Sequence, residues 1–198
     1  MDSNPWMLSV VASLLQRLVA RNERLLSSGK KLSKQNLCVF SATQVPAMSI
    51  AKYLERIFKY ARCSPSVFVV AYIYIDRLLL NNPNFLLTSL NVHRLLITSV
   101  MVAVKFLDDL HYNNGYFAKV GGLTLVEINT LEVEFLFMLR FRLQVTGSVF
   151  ESYCLYFQRE VEMGRDIEIE KSLLFLLEKE SDQSCRQDQS NRQRLGIS

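Results

Sequence analysis

Asn91-Val-His-Arg-Leu-Leu-Ile-Thr-Ser-Val-Met-Val-Ala-Val-Lys-Phe-Leu-Asp-Asp109 is apolar on nearly every side when wound at helical spacing. Between Leu95 and Leu107 only Thr98, Ser99 and Lys105 interrupt it, and a helix that is hydrophobic all round belongs inside a bundle or a membrane. The run falls short of the roughly 18 to 20 residues that span a bilayer, and it carries Lys105 within and Asp108 and Asp109 directly after. It therefore predicts the central helix of a globular protein. Lys105 is the residue to explain, because lysine is rarely fully buried without a partner.

Working outward, Pro65 to Leu80 is a second inner helix, apolar apart from Asp76 and Arg77, with Ser64 as N-cap, Pro65 in the first turn and Asn81-Asn82-Pro83-Asn84 as its stop. Before it, Ile50, Tyr53, Leu54, Ile57, Phe58 and Ala61 share one face while Lys52, Glu55, Arg56, Lys59 and Arg62 take the other, which predicts an outer helix. After the central helix, Asp108 to Leu123 reads as a loop, with Asn113-Asn114-Gly115 and Gly121-Gly122 as turn signals. Thr124-Leu-Val-Glu127 fits a capping box opening a helix to about Phe141, and Ser148-Val-Phe-Glu151 repeats the device for a fifth helix to about Glu162. Five helices in series without a strand signal make an all-α domain over 49–163.

The first 48 residues predict one helix and a linker. Asn4 and Pro5 can open the helix, and Leu8, Val11, Leu15 and Leu18 recur on one face beside a basic side of Arg17, Arg21 and Arg24. Docking on the core is the plain reading; Asp2 and Glu23 interrupt the pattern of a targeting helix. Ser27 to Pro46 reads as linker. Residues 164–198 hold one short apolar patch, Leu173 to Leu177, and then a polar tail expected to be partly disordered.

Composition narrows the function. A hydrophobic content of 49% supplies a core and excludes disorder of the whole chain. Cys38, Cys63, Cys154 and Cys185 form no CxxC pair and have no nearby histidine, which argues against a zinc site or disulfide framework and for a reducing compartment. No secretory signal is evident at Met1 to Pro5, so the nucleus and/or cytoplasm is expected. The charge of +4 sits mainly in residues 1–48, with six Lys/Arg against two Asp/Glu; residues 49–163 hold eleven against ten. A near-neutral folded part argues against nucleic acid, whose binders neutralise phosphates with a basic stripe.

Enzyme chemistry finds no foothold. His93 and His111 sit in no HExxH-type setting, and His93 opens a helix, where histidine is usually solvated. Gly121-Gly122 is too short for a phosphate-binding loop, and no nucleophile, base and orienting group share a usable spacing. The reading is a non-enzyme with no cofactor and no metal. What remains is Asp76, Lys105 and Glu132, three charges within apolar helices. Lys105 either snorkels along its stem to the surface, or emerges beside Glu132 to offer a donor and an acceptor to another protein's backbone.

Three motifs then resemble a known family. Tyr72-Ile-Tyr-Ile-Asp-Arg-Leu78, Val104-Lys-Phe-Leu-Asp-Asp109 and Leu131-Glu132 through Leu139-Arg-Phe141 are similar to the second, third and fourth helix signatures of the five-helix cyclin box. Tyr53-Leu-Glu-Arg-Ile-Phe-Lys-Tyr60, Asn91-Val-His-Arg94, Tyr112-Asn-Asn-Gly-Tyr116 and Ala118-Lys-Val-Gly-Gly122 resemble the plant U-type, or P-type, cyclins, which are similar to the yeast phosphate-response cyclins. The resemblance implies a regulatory subunit that binds and activates a cyclin-dependent kinase, expected to be a plant A-type one, in cell-cycle or nutrient and phosphate signalling. It puts Lys105 and Glu132 at the positions that contact the kinase.

One departure bears on Asp76, which corresponds to an acid that in conventional cyclins pairs with an arginine of the first helix. The first-helix motif MRxxLxxW is missing, and Pro46-Ala-Met-Ser-Ile50 stands about where it would begin. Asp76 must therefore find another partner as a structural acid, and no substrate-docking patch is assigned. Two rival classes stay open at this point: a transcription-factor core built on the same box, which duplex DNA would shift in a salt-dependent way, and a helical scaffold that binds no kinase.

Overall fold

The computed structural model describes residues 6–28, 39–108 and 112–163. Among them the helices run α1 (Trp6–Ser27), α2 (Ile50–Ala61), α3 (Pro65–Asn81), α4 (Val92–Leu107), α5 (Asn114–Gly121), α6 (Leu125–Met138) and α7 (Gly147–Met163), with no strand. Residues 162–198 cluster as a separate unit, of which only Glu162 and Met163 are described. Asn4, Pro5, His111 and the tail from Gly164 lie outside the described residues. No described helix is long and apolar enough to cross a membrane.

α3 and α4 are the inner pair and pack most extensively on each other. α4 is buried from Val92 to Val104 except at Arg94. Its two fully buried hydroxyls turn back on their own helix, Thr98 donating to the Arg94 carbonyl and Ser99 to the Leu96 carbonyl, so neither leaves a polar group unpaired in the core. α2 lays Ile50, Tyr53, Leu54 and Ile57 inward under a Ser49 cap. α1 docks along α2 and α3. Buried Asn22 donates to the Leu87 carbonyl, the Ser89 amide donates to Glu23, and Arg17 pairs with Glu160 of α7.

Five local expectations change. Residues 114–121 are helical rather than loop: Asn113 accepts from the Tyr116 amide as an N-cap, and Gly122 at φ 71° closes the C-terminus. The turn residues are thus the start and stop of a short helix. α6 ends at Met138, not Phe141, because Arg140 and Phe141 both turn left-handed, at φ 53° and 57°. Side chains of α3 hold the departing segment, Tyr74 donating to the Leu143 carbonyl and Arg77 to those of Arg142 and Gln144. Thr146 takes the capping role expected of Ser148, accepting from the Val149 amide. Phe40, within the expected linker, is fully buried, edge-on to Phe85 and Phe135. His93 is buried rather than solvated, its Nε2 at 2.8 Å from the Met48 carbonyl and its ring against Tyr53; desolvation holds its pKa below the usual imidazole range.

Candidate partner-binding site

Lys105 stands in the last turn of α4, where burial ends: Val104 is buried and Phe106 and Leu107 are exposed. Its ammonium does not run free to solvent. Lys105 Nζ donates to Glu132 Oε1 at 2.6 Å, with 27% and 18% of the two side chains exposed. The helical register explains the placement, since Glu132 follows buried Leu131 and precedes buried Phe135, which puts its carboxylate at the edge where α6 meets α4.

The second carboxylate oxygen, Oε2, accepts from Asn114 Nδ2 at 2.7 Å, and the same amide donates to Asn129 Oδ1 at 2.7 Å. Phe106, beside Lys105 in the chain, and Val133, Phe137 and Phe141, in and just after α6, are exposed, Phe137 by 63%, and the rings of Phe137 and Phe141 meet edge to face at 5.3 Å. One helix turn separates Val133 from Phe137, so α6 carries an outward apolar stripe. At the other end of α6 the Thr124–Glu127 capping box forms as expected. Hydrogen bonds from the Thr124 backbone and hydroxyl hold the Glu127 carboxyl below its ordinary range, and Glu127 also accepts from Arg94 at 2.6 Å.

Asp76 is elsewhere, 9% exposed in α3. Its partner is Tyr153 of α7, whose hydroxyl donates to Oδ2 at 2.5 Å. Burial pushes the Asp76 carboxyl up to about 6, against the opposing pull of Tyr153 and Arg77. The structure thus joins Lys105 to Glu132 and leaves Asp76 apart, in the α3–α7 contact. Sequence reading missed Tyr153 and Asn114. Tyr153 lies 77 positions from Asp76, beyond any local pattern, whereas the Asn113 cap two residues ahead of Gly115 was a usable sign that Asn114 begins a helix. Among the described residues no cluster of His, Cys, Asp or Glu is placed to hold a metal ion.

Two buried helices wrapped by the rest, with a paired lysine and glutamate at the rim, define an all-helical domain of layered construction. The chain belongs to the cyclin family, whose model, described as Cyclin, matches residues 7–143. It is 51% identical over 174 residues to Cyclin-U2-1 of Arabidopsis thaliana, covering 87% of this chain and 78% of the relative. To Cyclin-P4-1 of Oryza sativa subsp. japonica it is 49% identical over 162 residues, covering 81% and 76%. The similarity to plant U-type and P-type cyclins therefore extends over most of the chain. Cyclins are regulatory subunits, and membership implies a cyclin-dependent kinase as partner.

Proposed function

We propose that the protein binds a cyclin-dependent kinase through the rim formed by Lys105 and Glu132 and activates it. The observation that carries this reading is the half-buried pair itself, fixed by Asn114, on helices α4 and α6 that also expose Phe106, Val133 and Phe137. Among the described residues Lys105 donates to Glu132 alone, leaving two of its three donors, and the Glu132 carboxylate has lone pairs left, so together they suit a partner's backbone carbonyl and amide. The exposed apolar side chains of the same helices supply burial.

Activation in this reading is a population shift. A kinase is active when its C-helix glutamate pairs with the strand lysine and its activation segment is ordered, and a rigid surface that binds only that arrangement favours it. The cyclin contributes rigidity rather than a catalytic group, and the α3–α4 core is the source of that rigidity. A plant A-type kinase is the proposed partner, with a role in cell-cycle or nutrient and phosphate signalling in the nucleus and/or cytoplasm. Asp76, buried against Tyr153, acts within the fold and not at the kinase.

The test is a Lys105→Ala, Glu132→Ala double variant measured against a purified plant A-type kinase. Truncating one member of such a pair corresponds to roughly 2 to 5 kcal/mol of binding, and with both removed affinity and kinase activation should fall while the thermal transition stays near that of the wild type. A folded double variant that binds and activates normally refutes the assignment.

A further inference from the structure

The short helix α5 begins at Asn114, and both hydrogens of that residue's amide are committed to α6, one to Asn129 Oδ1 and one to Glu132 Oε2. A carboxylate oxygen can only accept, so chemistry fixes which end of the amide faces Glu132. Glu132 is therefore held from two sides, by Lys105 of α4 on one oxygen and by Asn114 of α5 on the other. With Lys105 alone, a glutamate that has three rotatable bonds would still pivot about a single contact.

α5 is in turn fastened to α2. Tyr116 donates to the Tyr60 carbonyl at 2.8 Å, Arg56 donates to the carbonyls of Val120 and Lys119 at 2.9 and 3.3 Å, and Tyr53 donates to that of Gly121 at 3.0 Å. The carbonyls at a helix C-terminus lack partners within their own helix, so α2 side chains satisfy what α5 cannot. The tight approach at Gly121, where an added Cβ would meet Ile97 at 3.0 Å, sets the same helix against α4. Direct contacts thus run from α2 through α5 to the Lys105–Glu132 pair.

We infer that Asn114 is a positioning residue for partner binding, holding the Glu132 carboxylate in the orientation in which the pair meets its partner; this rests on the kinase-binding reading above. Its contribution is the ordering of Glu132 before the partner arrives, and ordering one such side chain on binding corresponds to roughly three- to tenfold in affinity. Asn114 differs from a residue that merely stabilises α5, because its effect must pass through Glu132.

The experiment measures the affinity of Asn114→Ala, Asn114→Asp, Glu132→Ala and the Asn114→Ala, Glu132→Ala pair for a purified plant A-type cyclin-dependent kinase, with a thermal melt of each. Asn114→Ala is expected to weaken binding by roughly three- to tenfold with little change in melting. In the Glu132→Ala background it should add nothing. Asn114→Asp, of the same size but with a carboxylate facing Glu132, should weaken binding further than Asn114→Ala. Wild-type affinity in Asn114→Ala overturns the inference, as does an equal loss from Asn114→Ala with and without Glu132, which would mark a structural role. A Lys105→Ala, Glu132→Ala variant that binds normally instead overturns the kinase-binding reading. Loss in that variant alongside unchanged Asn114→Ala binding overturns only the role of Asn114.

Discussion

Replacing Asp76 by asparagine should stabilise the protein at neutral pH and change the way its stability depends on pH. Asp76 is almost wholly buried, and its carboxyl is held at about 6 against an ordinary 3.8, chiefly because burial strips water from the charged form. One pKa unit corresponds to about 1.4 kcal/mol, so keeping this carboxylate ionised inside the fold costs about 3 kcal/mol at pH 7.5. The direction follows from proton binding. Between pH 3.8 and 6 the folded state holds a proton on Asp76 that the unfolded state has released, so stability from this group is full below 3.8 and is lost as pH rises through 6.

Asparagine of the same shape carries no charge and can still accept from Tyr153, though its amide hydrogens need acceptors that the carboxylate did not. The gain at pH 7.5 is accordingly about 1 to 3 kcal/mol, which for a chain of this size raises the melting temperature by roughly 3 to 9 °C. Below pH 4 the gain should vanish. Thermal melts followed by circular dichroism in steps from pH 4 to 7.5, on both proteins, read the difference directly and cancel groups that titrate alike in the two. Parallel stability profiles for wild type and Asp76→Asn would show that burial does not penalise this carboxylate and would refute the reasoning.

Substitutions at three further positions check the packing of the fold. Tyr153→Phe removes the hydroxyl that donates to Asp76 and should destabilise by about 1 to 3 kcal/mol at pH 7.5 in chemical denaturation, less at pH 4 where the acid is protonated. Phe40→Ala empties a fully buried site between Phe85 and Phe135 and should cost about 3 to 5 kcal/mol; a loss under 1 kcal/mol in the same assay would mean the segment before α2 is not core. Gly122→Ala forces a Cβ into the left-handed α5 cap at φ 71° and should cost about 1 kcal/mol, with Gly122→Asn costing less because asparagine tolerates that region.

The order of the main helices was legible because it depends on periodicity, and periodicity is local. α4 announces itself by having no polar side, α2 by having one, and the start of α6 by a threonine three residues ahead of a glutamate. The end of α6 was not legible, since Leu139 and Phe141 continue its apolar pattern, while the side chains that bond the departing segment, Tyr74 and Arg77, lie more than sixty positions away. Phe40 was hidden for a related reason: one aromatic residue among serine, lysine and glutamine carries no period, and its burial depends on Phe85 and Phe135 closing over it.

Taken alone, the sequence determined an all-helical chain with two inner helices, and its motifs pointed to the cyclin family and to Lys105 and Glu132. Spacing along a helix sets which residues share a face, and that information is present in the chain itself. Only the tertiary structure decided that Lys105 meets Glu132 at 2.6 Å with Asn114 behind it, and that Asp76 answers to Tyr153. Those pairings join residues on separate helices, and side chains that far apart in the chain acquire one another only through the angles at which the helices pack.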